Sequence, residues 1–194
     1  MGYEMINWRN AAQIKNVHFV CGYCGKDVAP SQGYAGDDPG RGTVFIYVCA
    51  FCSCPTFFDS KNDQTPKPKM GRDVGGISRE DVRKLYDESR CCTAVGAYSG
   101  AVMICRKILM NLAVEQGAKK DESFVFYVDY LSTNGYVPPK GKGWVDAIRK
   151  RGNEANHEIK VMDKKDAELV LHFTEALLRF NYELPSVLEA DGKV

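Results

Sequence analysis

The chain has 194 residues, of which 44% are apolar and 26% charged, a composition that excludes disordered and collagen-like classes. Lys plus Arg total 26 against 25 for Asp plus Glu, so the net charge is +1. That balance excludes a polybasic protein held to nucleic acid by bulk charge alone, while leaving room for a local basic patch.

No apolar run approaches the roughly 18 residues a membrane span needs. The run Ala101–Cys105 stops at Arg106 and Lys107. The first ten residues, MGYEMINWRN, lack the apolar core of a signal peptide. The expectation is a cytoplasmic protein with no membrane association.

Val17–Val20 reads as a strand entering Cys21-Gly-Tyr-Cys24, and Thr43–Val48 as a strand entering Cys49-Ala-Phe-Cys52. Two residues between thiols let a tight turn aim both sulfurs at one ion, and four soft ligands suit tetrahedral Zn²⁺. Gly25 follows the first pair, where such a knuckle needs positive φ; Ser53 stands at the matching place of the second. Cys21, Cys24, Cys49 and Cys52 therefore form a candidate structural zinc site in a zinc ribbon over residues 1–58. Four thiolates leave no open position for a catalytic water. Cys54 has two readings: a replacement for Cys52, or a free thiol beside the site. His18 reads as a strand residue.

Residues 59–76, rich in Pro, Gly and polar side chains, read as an extended linker. Residues 77–194 read as helical. Ser78 is a candidate N-cap for the first helix. Ala101, Ile104, Cys105, Ile108, Leu109 and Leu112 mark the apolar face of the second. Residues 122–132 form a third segment that fits a helix, with a strand as the alternative over 124–128. The fourth helix runs from Trp144 to about His157. Asp163 and Asp166 announce a fifth, which Pro185 is expected to stop. Cys91, Cys92 and Cys105 read as small core residues.

The segment 148–157, Ile-Arg-Lys-Arg-Gly-Asn-Glu-Ala-Asn-His, concentrates Arg, Asn and His. On a continuous helix Arg149, Asn153 and His157 lie at about 0°, 40° and 80°, on one face. Arg151 and His157 are about 240° apart and share a site only if Gly152 breaks the helix. An imidazole can move a proton and a guanidinium can bind phosphate, so the set suits metal-independent RNA cleavage. The competing reading is a polar network tying helices together, with His157 at a helix end. Lys140, Lys142, Arg149, Lys150 and Arg151 make a basic local surface, with Asp146 the only acid from 140 to 151.

The helical part resembles the domain-of-unknown-function family 4145. The matching pieces are Leu85-Tyr-Asp-Glu-Ser-Arg90, Gly96-Ala-Tyr98, Arg106-Lys-Ile-Leu109, Arg149 through His157, and Tyr182-Glu-Leu-Pro185. A zinc ribbon ahead of the helices is common there. That family is in turn similar to the HEPN helical superfamily, named for nucleotide binding in higher eukaryotes and prokaryotes. The resemblance implies a mainly α fold, a HEPN-like helical bundle behind a small β zinc ribbon, associating as a homodimer. Many HEPN domains are ribonucleases with an Arg-x(4–6)-His motif, acting in defence and toxin systems. Carried over, His157 is the motif histidine. Arg151 has the motif spacing, whereas Arg149 shares the helix face but lies too far along.

Three functions follow as expectations. The first is an accessory or effector of a prokaryotic or phage defence system that binds RNA, DNA or a protein partner through the ribbon and the basic helical surface. The second is a metal-independent ribonuclease using an Arg and His157. The third is a purely structural, zinc-stabilised interaction subunit.

Overall fold

The computed structural model describes the backbone of residues 8–137, 141–157 and 161–190, and the side chains there except at 142, 151–157 and 190. The chain divides into two compact units between Lys69 and Met70.

The first unit is β-structured. Strands β1 (Ala12–Gln13), β4 (Gln32–Asp38), β5 (Gly42–Val48), β6 (Pro55–Phe58) and β7 (Gln64–Thr65) form an antiparallel sheet in the order β1-β4-β5-β6-β7. Strands β2 (Phe19–Val20) and β3 (Asp27–Val28) form a separate hairpin. Tyr47 lies opposite Thr56, and Phe45 opposite Phe58, so these side chains share one sheet face. Phe19 of the hairpin closes on that face, its ring 5.0 Å from Phe58 and 6.0 Å from Tyr47. With Val28, Cys21 and Cys49 they form a small core, and the Tyr47 hydroxyl donates to the Lys15 carbonyl at 2.9 Å. So few apolar side chains make a marginal core, and units of this size usually need a metal or disulfide as well.

The second unit is helical: α1 (Glu80–Ala94), α2 (Tyr98–Glu115), α3 (Phe124–Thr133), α4 (Lys142–His157), α5 (Lys164–Leu178), a π-helical turn (Arg179–Glu183) and α6 (Leu184–Ala190). Helix α2 is central and packs against α1, α3 and α5. Its buried residues Ala101, Val102, Cys105, Ile108, Leu109 and Leu112 follow the expected helical spacing.

Several local expectations change. The mainly α expectation holds in part: the larger unit is helical, and an antiparallel β unit precedes it. Residues 59–76 are not an extended linker. Gln64 and Thr65 add an edge strand to the sheet, and Val74 and Ile77 enter the helical core. Helix α1 has Arg79, not Ser78, at its N-cap and no side-chain cap bond. Residues 124–133 are helical, with the Ser123 hydroxyl accepting from Phe126 N–H at 3.2 Å. The Asp163–Asp166 capping box is present, with both reciprocal bonds made. Pro185 does not stop the chain. The wider π turn before it lets the helical path continue into α6 without the hydrogen bond a proline nitrogen cannot make.

Candidate metal centre and helical site

Each C-x-x-C pair sits in the turn of a hairpin. In the first, Cys21 N–H donates to the Lys26 carbonyl at 2.9 Å and Gly25 N–H to the Cys21 carbonyl at 2.8 Å. The second repeats this: Cys49 N–H to the Cys54 carbonyl at 3.0 Å, and Ser53 N–H to the Cys49 carbonyl at 2.9 Å. Gly25 has φ +70° and Ser53 φ +56°, so both knuckles close through a left-handed residue.

The four sulfurs lie within 4.8 Å of one another. Cys21 and Cys52 Sγ are 3.8 Å apart, and Cys24 and Cys49 Sγ 3.7 Å. A tetrahedron of thiolates about 2.3 Å from a metal has edges of about 3.8 Å, whereas a disulfide needs about 2.05 Å. The arrangement is that of a tetrahedral metal site, and its cysteines are unbridged. Burial pushes the Cys21, Cys24 and Cys52 thiols up, Cys52 to about 12. Burial acts the same way on Cys49, but N–H groups of Cys52 and Phe51 and neighbouring thiols outweigh it and bring that thiol below its usual value. A cation among the sulfurs reverses the cost of keeping all four as thiolates. Cys54 is buried and stands outside the sulfur cluster. His18 is exposed and pairs with Asp27 across the hairpin at 2.9 Å.

In the helical unit, α4 continues through Gly152 to His157. That backbone keeps positions 149, 153 and 157 in one register and 151 away from it. The side chains of Arg151, Asn153 and His157, together with Lys140 and the Lys142 side chain, lie outside the described residues. Arg149 is described. Its guanidinium pairs with Asp129 of α3 and with Asp146 one turn back at 3.2 Å. Its buried Nε finds no partner among the described residues. This arginine is thus charge-compensated from two sides, and ties α3 to α4.

A second polar cluster was not legible as such. Arg90 is buried on α1, and donates to the Met70 carbonyl at 3.1 Å, to the Gly71 carbonyl at 3.2 Å and to Asp73. The Tyr86 hydroxyl donates to the Arg72 carbonyl at 3.0 Å, and the buried Glu175 carboxylate accepts from Arg72 N–H at 3.2 Å. Burial pushes the Tyr86 hydroxyl well above its ordinary value. These bonds hold residues 70–73 as a strap across α1 and α5. The Tyr86–Arg90 spacing of four residues is the one sequence signal, since such pairs share a helix face.

Among the described residues no helix is long and apolar enough to cross a membrane. No curated protein and no solved structure matches the chain. Residues 87–190, a little over half of the chain and most of the helical unit, match the family described as Domain of unknown function (DUF4145). The chain belongs to that family, with a four-cysteine β unit preceding the matched helices.

Proposed function

We propose that this protein is a non-catalytic interaction module whose β unit is held together by Zn²⁺ on Cys21, Cys24, Cys49 and Cys52. The donor set supports zinc: four thiolates at tetrahedral spacing give a closed coordination shell, which suits a structural role. In this reading the β unit is a zinc ribbon and the helical unit a HEPN-like bundle that associates as a homodimer. Its setting is a prokaryotic or phage defence system, as the sequence resemblance implies. The module engages RNA, DNA or a protein partner through the ribbon and the basic segment 140–151.

The observation that carries the non-catalytic reading is the pairing of Arg149 with Asp129 and Asp146. A guanidinium already neutralised by two carboxylates is poorly placed to stabilise charge developing on a phosphate. The test is fluorescence anisotropy of the zinc-loaded protein with labelled single- and double-stranded RNA and DNA over a salt series. Nucleic-acid engagement predicts affinity that falls with salt. Salt-independent or absent binding moves the reading to a protein partner.

The ribonuclease reading keeps one supporting observation. An unbroken α4 backbone is what Arg149, Asn153 and His157 require to act from one face. In that case His157 moves the proton, Arg149 leaves its carboxylates for the phosphate, and the substrate 2′-hydroxyl is the nucleophile.

A further inference from the structure

The β unit carries an open pocket of about 470 Å³ beside the second metal knuckle, in the size range of small-ligand sites. Trp8 lines it, with Pro30, Ser31 and Gln32 from the approach to β4 and Cys49 and Ser53 from the knuckle. Trp8 Nε1 donates to the Ser53 carbonyl at 2.8 Å, and its ring meets that of Tyr34 in a T-shaped contact with centres 6.2 Å apart. These two contacts fix the indole against the knuckle and use its one polar atom.

The lining is mostly polar, yet among the described residues it holds no ionisable side chain apart from the metal ligand Cys49. Nothing in it would neutralise a charged guest, and a charge drawn from water without a partner is costly. Ser31, Gln32 and Ser53 offer hydroxyl and amide groups, donors and acceptors alike. None of these three side chains makes a hydrogen bond among the described residues. An aromatic ring beside neutral hydrogen-bonding groups matches a planar heterocycle, which stacks by its face and bonds by its edge. A second aromatic surface stands next to the lining residue Ala50: Phe51, 67% exposed at the tip of the knuckle. Arg9, beside Trp8 in the chain, is exposed and cationic.

We propose that this pocket takes an unpaired base of a single-stranded nucleic acid, stacked against Trp8 with its edge on Ser31, Gln32 and Ser53, and that a neighbouring base stacks on Phe51. The proposal rests on the reading above, that the β unit engages nucleic acid, and names what it engages. The base is neutral, as the lining requires, and the phosphates stay outside the pocket, on the side of Arg9. Every base has a stacking face, so the contact with the two rings is tolerant of sequence. A duplex, whose bases are already stacked and paired, does not fit.

The test uses the zinc-loaded full chain carrying Trp144→Phe, which leaves Trp8 as the one indole. It is titrated with a single-stranded RNA octamer, the same octamer in a duplex, an abasic octamer with the same phosphates, and free nucleosides. Trp8 fluorescence and the anisotropy of labelled strands are read together. Saturable quenching of Trp8 by the single strand is expected, with the duplex and the abasic strand at least about fivefold weaker. Phe51→Ala and Gln32→Ala, both at exposed positions that leave the Trp8–Ser53 bond and the metal in place, should each weaken the single strand by about fivefold. Equal affinity for the abasic strand, or a bound strand that leaves Trp8 unquenched, would overturn the pocket while phosphate-led engagement stands. A free nucleoside bound as tightly as the octamer would overturn the strand as its source. Binding of no strand at all would overturn the pocket and the nucleic-acid reading together.

Discussion

Ser53 takes the same left-handed backbone conformation as Gly25, at the matching position of the second metal knuckle. A non-glycine residue pays a steric penalty there of about 1 kcal/mol. Ser53→Gly should therefore leave metal binding intact and raise the stability of the loaded β unit by up to about 1 kcal/mol. Gly25→Ala should lower it by about as much. Thermal melts of the two zinc-loaded variants against the parent check both signs.

The metal itself makes a second prediction. The protein should hold about one Zn²⁺ per chain. Replacing Cys21, Cys24, Cys49 or Cys52 by Ser should lose the metal and unfold the β unit while sparing the helices. Cys54→Ser should keep full metal content, because Cys54 stands outside the cluster. Metal analysis together with limited proteolysis reads both effects. Loss of metal in Cys54→Ser would place that thiol in the coordination shell.

The raised thiols set the sign of the pH dependence. Cys21, Cys24 and Cys52 hold their protons more tightly than free cysteine in the metal-free fold. In that form they contribute stability present below the ordinary thiol value and lost as pH rises through the raised ones. Metal binding must displace those protons, so affinity rises with pH and the site empties on acidification. Near neutral pH about three to four protons should leave per ion bound. Calorimetry in buffers of different ionisation enthalpy counts them, and release of one or none would contradict the thiolate site.

Gly71 tests the strap. It has φ +67°, and a Cβ there would lie 2.5 Å from a Leu171 methyl and 2.9 Å from the Glu175 carboxylate. Gly71→Ala should cost more than about 2 kcal/mol of helical-unit stability, from backbone strain and overpacking together. Arg90→Met should cost about 1–3 kcal/mol by leaving the Met70 and Gly71 carbonyls without their donor. Chemical denaturation followed by helical circular dichroism measures both. Variants as stable as the parent would show that the strap is not part of the fold's cooperative core.

What the sequence made legible was local. The paired C-x-x-C spacing identifies the sulfur cluster, because two residues per knuckle fix the geometry within one turn. The Asp163–Asp166 box and the α2 core stripe are also encoded within a few residues. The illegible parts depend on distant partners. Asp129 reaches Arg149 from 20 positions away, and Glu175 reaches Arg72 from 103. Residues 59–76 look like a linker because their content is polar and Pro-rich. They are ordered by hydrogen bonds to groups elsewhere, such as Gln64 amide to the Val20 carbonyl at 2.8 Å and Arg90 to the strap. Pro185 looks like a stop because the π turn that accommodates it leaves no mark in the pattern.

The central claim, that the helical unit binds without cutting, is tested most directly by incubating the zinc-loaded protein with end-labelled single-stranded RNA in buffer without added metal, beside His157→Ala. The account predicts intact RNA at equal levels in both. RNA cut to products ending in 2′,3′-cyclic phosphate by the parent, with cleavage lost in a folded His157→Ala variant, would contradict it and establish the ribonuclease reading.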